Sequence, residues 1–300
     1  MKKIWLAAYK LIQSQSGGSR LGYLLKLKTS EFSEGYADIF PWTEFGDPSF
    51  EEIPKLLQQE HIAAPLLQKS LYFAEKDGLA RHQDKALLGG HKIKNHYLVE
   101  KIYPQSALDI LRALDMGFDR LKLKVGRDWN KEIHLLQSLS PSLKGAKWRL
   151  DCNLNGQSLD WNLLEPFRDQ IEFIEDPFPE PNKWSERWPW AYDQPRFPQD
   201  QVRVAWQVIK PAKQSLNNLD EQKKIVVTSY MDHPVGVAHA LAEAQEYVRQ
   251  DHDFGLMTLS MYENTPFHEH FCCEGPWLWM EPQKGIGFTD LLKRQNWVAI

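Results

Sequence analysis

The sequence is short of cysteine, of long apolar runs and of any concentration of one charge sign. Each shortage removes a class of protein. Three cysteines in 300 residues, Cys152, Cys272 and Cys273, make no disulfide framework, and the neighbours 272 and 273 would pair only with strain. A reducing, cytoplasmic setting is expected. No apolar run approaches the roughly 18 residues that a membrane helix needs. The opening "MKKIWLAAYK" meets Lys10 before a secretory apolar segment could form, so it reads as a first strand. The net charge of −4 comes from 36 basic and 40 acidic residues, interspersed and without a basic stripe. Neither nucleic acid nor a membrane is expected as a partner. There is no short-period repeat beyond the one described below, and no low-complexity segment. Nothing in the pattern bears on oligomeric state.

What is present is core material. The chain is 42% hydrophobic and 12% aromatic, with 12 tryptophans, enough for one large α/β barrel or two ordinary domains. The first ninety residues read as α+β. "IWLAAYKLI" and "GYLLKLKTS" are paired strands joined by "QSQSGGSR", in which Gly17 and Gly18 make the loop pliable. That loop is either a plain hairpin turn or a lid that closes over a site. "GYADIFPWTEFGDPSFEEIPKLLQQ" is a strand, a Pro/Gly loop, and a helix capped by Asp47 or Ser49. "LLGGHKIKN" reads as a linker.

From about residue 95 strand and helix alternate with short links, the pattern of a parallel sheet. "HYLVEKIY", "RLKLKVG", "KWRLDCN", "IEFIEDP", "WPWAYD", "VAWQVIK" and "KIVVTSY" are the strands. "PQSALDILRALDMG", with Pro104 near its start and Gly117 at its end, "DWNKEIHLLQSLS", "SLDWNLLEPFRD" and "GVAHALAEAQEYVRQ" are the helices. Seven or eight such units close a (β/α) barrel. Between Asp193 and Val204 the chain holds Pro195 and Pro198 and has no room for a full helix, so the outer layer is expected to be thin there.

In such a barrel chemistry gathers at the C-terminal ends of the strands. Lys122 and Lys124 share one face of the second strand. Asp151 and Asn153, with Arg149 before them, end the third; Glu175 and Asp176 end the fourth, facing opposite ways so that one of them enters the mouth. Asp193 ends the fifth, Lys210 the sixth, and Thr228 with Ser229 the seventh. Three carboxylates beside an asparagine make a hard oxygen site suited to Mg²⁺, with Mn²⁺ as a substitute. A cation on a substrate carboxylate acidifies the α-proton, and a lysine that removes this proton must be neutral. Two lysines side by side, near a divalent ion, favour that state. Lys124, nearer the mouth, is then the base, and Lys122 its partner and a contact to the substrate carboxylate.

"KLKVG", "RLDCN", "FIEDP", "AYD" and "IKP", in that order, resemble the strand-end motifs of the enolase superfamily, in its muconate lactonising enzyme-like subgroup. "GYADIFPWTEFGD" and "VVTSYMDHPVGVAHA" resemble segments of its o-succinylbenzoate synthases. The resemblance implies a (β/α)7β barrel over 93–273, an N-terminal α+β capping domain over 1–92, and a segment over 274–300 that returns to the cap. It implies Lys124 as general base, Lys122 as its partner, and Lys210 as the opposite, cationic lysine. Asp151, Glu175 and Asp193 are the implied Mg²⁺ ligands. Arg149, Asn153, Thr228 and Ser229 are the implied substrate contacts. The reaction implied is syn dehydration of a small cyclohexadiene carboxylate to o-succinylbenzoate, in menaquinone biosynthesis.

This chain departs from the family in places. "DQP" stands where "DES" is usual, the intervals around Asp193 are short, and "YMDHP" replaces a serine-rich turn. Two other readings stay open: an isomerase, such as an N-acylamino acid racemase, dipeptide epimerase or cycloisomerase, using Lys124 and Lys210 on opposite faces; and a protein that binds metal and carboxylate without turnover. "FHEHFCC" would put His268, His270 and Cys272 on one strand face, but without a matching Cys or His pair nearby it reads as structural. "KGIGF" is a turn, not a phosphate loop.

Overall fold

The computed structural model describes residues 2–300 except 15, 104–105, 181–183, 185–186, 194–203, 217–222 and 248–252. Gln15 of the first loop, Pro104, Pro195, Pro198 and the end of the last expected helix therefore lie outside the described residues.

The chain opens with β1 (Lys3–Ile12) and β2 (Ser19–Lys28), antiparallel in continuous register from Lys3↔Lys28 to Ile12↔Ser19, followed by β3 (Gly35–Ile39). The expected helix after Ser49 is only the four-residue α1 (Ile53–Leu56), and neither Asp47 nor Ser49 caps it. The principal helix of this region is α2 (Pro65–His82), which lies against β2 and β3. The approach is close: a Cβ on Gly35 would fall 1.9 Å from the Ala74 carbonyl oxygen, so only glycine fits there.

The linker carries β4 (Ile93–Lys94), and the alternating region begins with β5 (Tyr97–Val99), α3 (Ser106–Asp115), β6 (Arg120–Lys124), α4 (Trp129–Leu139) and β7 (Lys147–Asp151). Gly117 ends α3 with φ +93°. Then come β8 (Ile171–Glu175), β9 (Trp190–Tyr192), β10 (Trp206–Ile209), β11 (Lys224–Val227) and α5 (Pro234–Glu246). Strands β5 to β11 form one parallel sheet in chain order. Two parallel bridges, Asn95↔Phe254 and Thr228↔Gly255, join its ends through an eighth, very short strand position. This is the expected barrel of the (β/α)7β type, beside a separate antiparallel cap.

The segment "SLDWNLLEPFRD" departs from the expected α-helix. Residues Trp161–Gln170 form a 3₁₀ helix, capped by the Asp160 side chain, with Pro166 inside it. Pro166 has no N–H and its ring would collide with the carbonyl four residues back, so an α-helix cannot run through it. The chain ends with β12 (Phe271–Glu274), β13 (Trp277–Met280), α6 (Thr289–Lys293) and β14 (Val298–Ala299). β13 pairs with β4, and β14 pairs with β1, so the end of the chain lies in the first sheet. His268–His270 is a 3₁₀ turn rather than strand, with His268 bonded to Thr265 and His270 to Gln283. Among the described residues no helix is long and apolar enough to cross a membrane.

Candidate active site

One cavity opens at the C-terminal ends of the barrel strands. Lys122, Lys124, Asp151, Asn153, Asp193, Lys210, Thr228 and Ser229 all line it. The strand register places them: Lys124 pairs with Asp151 across β6 and β7, and Asp151 with Glu175 across β7 and β8. The turn beyond Lys124 is fixed by the buried Glu132, whose carboxylate accepts the backbone N–H groups of Gly126, Arg127 and Asp128 at 2.7, 3.1 and 3.1 Å.

Lys122 is clasped by carboxylates. Its Nζ lies 3.0 Å from Asp151 Oδ2 and 2.8 Å from Glu175 Oε2. Burial pulls the ammonium's pKa down, but Asp151, Glu175 and Asp193 outweigh it and raise it above the ordinary lysine value. Lys122 is therefore held as a cation among the acids. Burial pushes Glu175 up to about 7, with Lys122 opposing and Asp151 and Asp193 adding to the rise. In Asp151 burial is overcome by Lys122, and the pKa falls. Lys124 points elsewhere, to Glu100 Oε1 at 3.1 Å. Across the cavity Lys210 Nζ is bonded to Asp193 Oδ2 and lies 5.8 Å above the Phe45 ring. Burial lowers its pKa, the Asp193 carboxylate more than restores it, and Lys210 too is a cation.

The fourth strand corrects an expectation. Asp176 lines the cavity, because it lies just past β8 with φ +46° and no longer follows strand alternation, whereas Glu175 is buried and bonded to Lys122 and is not among the described lining residues. Oxygens of Glu175, Asp176 and Asp193 lie within 4.8 Å of one another, a group able to hold a metal ion. Asp176 Oδ1 accepts the Asp193 backbone N–H at 3.1 Å. Asp193 Oδ1 is buried without a hydrogen-bond partner.

Arg149 is also placed differently from the expectation. It does not line the cavity. It is fully buried in the barrel interior, bonded to Glu172 at 2.5 Å, the Asp253 carbonyl at 2.6 Å and His96 Nδ1 at 2.8 Å. The described residues of the first loop are likewise not among the cavity lining: Ser14 N–H bonds to the Met261 carbonyl, and the cap's contribution among the described lining residues is Phe45.

A family model described as "O-succinylbenzoate synthase, N-terminal domain" matches residues 4–80. A solved enolase superfamily member from Listeria innocua superposes with a TM-score of 0.78 at 17% identity, covering 100% of this chain and 98% of that one. A muconate lactonizing enzyme from Mycobacterium smegmatis gives 0.78 at 15%, covering 98% and 99%. The o-succinylbenzoate synthase of Bdellovibrio bacteriovorus is 33% identical over 335 aligned positions, which span 100% of this chain and 99% of that protein. The chain belongs to the o-succinylbenzoate synthase family. It is an enzyme, a lyase, on the enolase superfamily fold.

Two residues at this family member's site, Glu100 and His96, escaped the sequence reading, and Asp176 stands there against it. Asp176 was legible as a charge but not as a left-handed residue. Glu100 directly follows β5 and is signalled only by its place after "HYLV". His96, on the cavity wall, precedes β5 and carries no motif.

Proposed function

We propose that this protein is a Mg²⁺-dependent o-succinylbenzoate synthase, a cytoplasmic enzyme of menaquinone biosynthesis acting on a small cyclohexadiene carboxylate. The observation that carries this is the meeting of Lys122, Lys124, Asp193 and Lys210 around one cavity in a chain of this family. The donor set fits a hard divalent ion: carboxylate oxygens of Glu175, Asp176 and Asp193 are crowded together, Glu175 is pushed to about 7 by burial, and Asp193 Oδ1 lacks a partner. Glu175 and Asp193, with Asp151 beside them, would hold the ion, and Asp176 would orient Asp193 through its backbone. A bound ion would supply positive charge to the substrate carboxylate as the α-proton leaves.

Lys124 takes that proton and returns it to the hydroxide departing from the same face, so that water leaves and no proton is exchanged with solvent. Lys122 and Lys210 are fixed cations on two sides of the developing negative charge. Lys210, paired with Asp193, is suited to stabilise that charge as a cation. Asn153, Thr228 and Ser229 supply polar contacts to substrate.

The test mixes purified protein with the cyclohexadiene precursor and Mg²⁺ and follows loss of diene absorbance, with an EDTA control. Fast, EDTA-sensitive loss is expected. No loss, together with deuterium exchange into N-acylamino acids or dipeptides, would transfer the site to an isomerase.

A further inference from the structure

We propose that His96 is a substrate-recognising residue: a neutral imidazole that presents its Nε2–H to an acceptor oxygen on the substrate's side chain, with Arg149 fixing its tautomer. This rests on the function proposed above and names how that substrate's side chain is recognised.

His96 sits where the barrel closes. Its backbone N–H bonds to the Phe254 carbonyl at 2.8 Å, tying the first strand to the last, and its ring forms part of the cavity wall. Nδ1 lies 2.8 Å from Arg149 Nη1. A guanidinium only donates and is not deprotonated in proteins, so Nδ1 must offer a lone pair and the ring proton must be on Nε2. Arg149 cannot turn away, because Glu172 and the Asp253 carbonyl hold it in a fully buried place. Burial lowers the imidazole pKa well below its usual value, and Arg149 and Lys122 act in the same direction, so the ring stays neutral.

The ring is part of the cavity wall, with its Nε2 edge toward Gly255, and the same wall holds a polar group that lacks a partner. A Cβ on Gly255 would meet His96 Nε2 at 2.9 Å and Thr228 Cγ2 at 2.7 Å, so the imidazole and the threonine converge on the bare glycine. Thr228 Oγ1 is buried without a partner. Polar groups left unpaired on a cavity wall are costly unless a ligand or water completes them.

Position in the ring adds direction. The carboxylates lie on β7, β8 and after β9, whereas His96, Thr228 and Gly255 belong to the first, seventh and eighth strand positions. A ligand whose ring carboxylate is held by the acidic side would extend its ortho substituent toward the His96 side. The succinyl chain of o-succinylbenzoate carries a ketone and a terminal carboxylate. Both are oxygen acceptors, and both suit a neutral N–H.

The Mg²⁺-loaded full chain and its His96→Leu and His96→Gln variants are titrated with three probes: o-succinylbenzoate, 2-butanoylbenzoate, which keeps the ketone but lacks the terminal carboxylate, and benzoate. His96→Leu is expected to weaken o-succinylbenzoate by about tenfold or more, the worth of a lost buried hydrogen bond, and to leave benzoate unchanged. His96→Gln, which retains an N–H, recovers part of the loss. A parallel loss for 2-butanoylbenzoate assigns the ketone; a loss confined to o-succinylbenzoate assigns the carboxylate. Unmodified protein that does not bind o-succinylbenzoate overturns the functional reading and this inference with it. Unmodified protein that binds it, with His96→Leu binding equally well or losing benzoate in proportion, overturns this inference alone.

Because leucine could unseat Arg149, the unmodified protein is also labelled with nitrogen-15 histidine. The His96 signals are expected to show protonated Nε2 and bare Nδ1 from about pH 5 to 8, with Nε2 moving on addition of o-succinylbenzoate and not of benzoate. In Arg149→Met protonated Nδ1 is expected to appear. A protonated Nδ1 in the unmodified protein, or an Nε2 indifferent to the product, refutes the assignment.

Discussion

At the scale of single residues, the site is an arrangement of cations and acids that each need the other. Lys122 and Lys210 are buried ammonium groups and persist as cations because Asp151, Glu175 and Asp193 face them. Lys124 stands apart from that cluster, with Glu100 as its partner. Lys124→Ala and Lys210→Ala are expected to lower kcat by at least about a thousandfold while Mg²⁺ still binds by calorimetry. A Lys124→Ala enzyme of near-normal activity would remove it as the base. Asp193→Ala is expected to raise the Mg²⁺ concentration needed for half-maximal activity by at least about tenfold; an unchanged requirement would place the ligand elsewhere.

At the scale of elements, two seams join cap to barrel. The loop after β3 is held by Asp47, whose buried carboxylate accepts the Trp42 N–H at 2.9 Å and the Tyr230 hydroxyl at 2.8 Å and pairs with Lys213 at 2.8 Å. This seats Phe45 on the cavity wall. Asp47→Ala leaves Lys213 without its partner and is expected to cost on the order of 3 kcal/mol of stability, read by urea unfolding, and to raise KM more than it lowers kcat. Unaltered KM would mean that Phe45 holds its place without the latch.

The second seam is at the start of α5, where Asp38 from β3 and Asp232 from the turn after β11 bring their Oδ2 atoms within 2.8 and 2.4 Å of the point a Gly236 Cβ would occupy. Burial pushes Asp232 up to about 7, and burial with the Asp232 charge raises Asp38 well above the carboxylate range. Asp232 keeps its proton to about pH 7 in the folded protein but loses it near the ordinary carboxylate value when unfolded. Its proton-linked stability is therefore present below the unfolded value and lost as pH rises to about 7. Asp232→Asn mimics the protonated form, so its gain in Tm over the unmodified protein should be largest near pH 8 and shrink toward pH 4 (windows set to about one unit by the usual carboxylate range). A gain independent of pH would remove the retained proton from the account.

At the scale of the whole molecule, cap and barrel are tied at both ends of the chain, because β14 closes onto β1 while β4 and β13 pair beside the barrel. A ligand that binds only the folded barrel therefore stabilises the cap as well. Mg²⁺ at about a hundred times its dissociation constant should add about 2.7 kcal/mol and raise Tm in differential scanning calorimetry, with EDTA reversing the rise. A Tm indifferent to Mg²⁺ would argue against an ion held by Glu175 and Asp193 beside Asp151.

The sequence by itself determined the alternation of strand and helix, the parallel sheet, and the recurrence of ionisable residues at successive strand ends, because period-two and period-3.6 patterns and strand-terminal charge are local properties. Helix α2 was not legible. Its buried face includes Asp77 and Arg81, bonded at 2.7 Å, and Gly78, so no clean apolar stripe marks it. The 3₁₀ form of Trp161–Gln170 turned on one proline, and the inward turn of Asp176 on one left-handed backbone angle. The tertiary structure alone decided that Arg149 faces His96, 53 residues away in sequence, rather than the cavity. Which of two neighbouring charges enters a site, and which cation answers which acid, depend on distances between strands, and the closing of the barrel sets those.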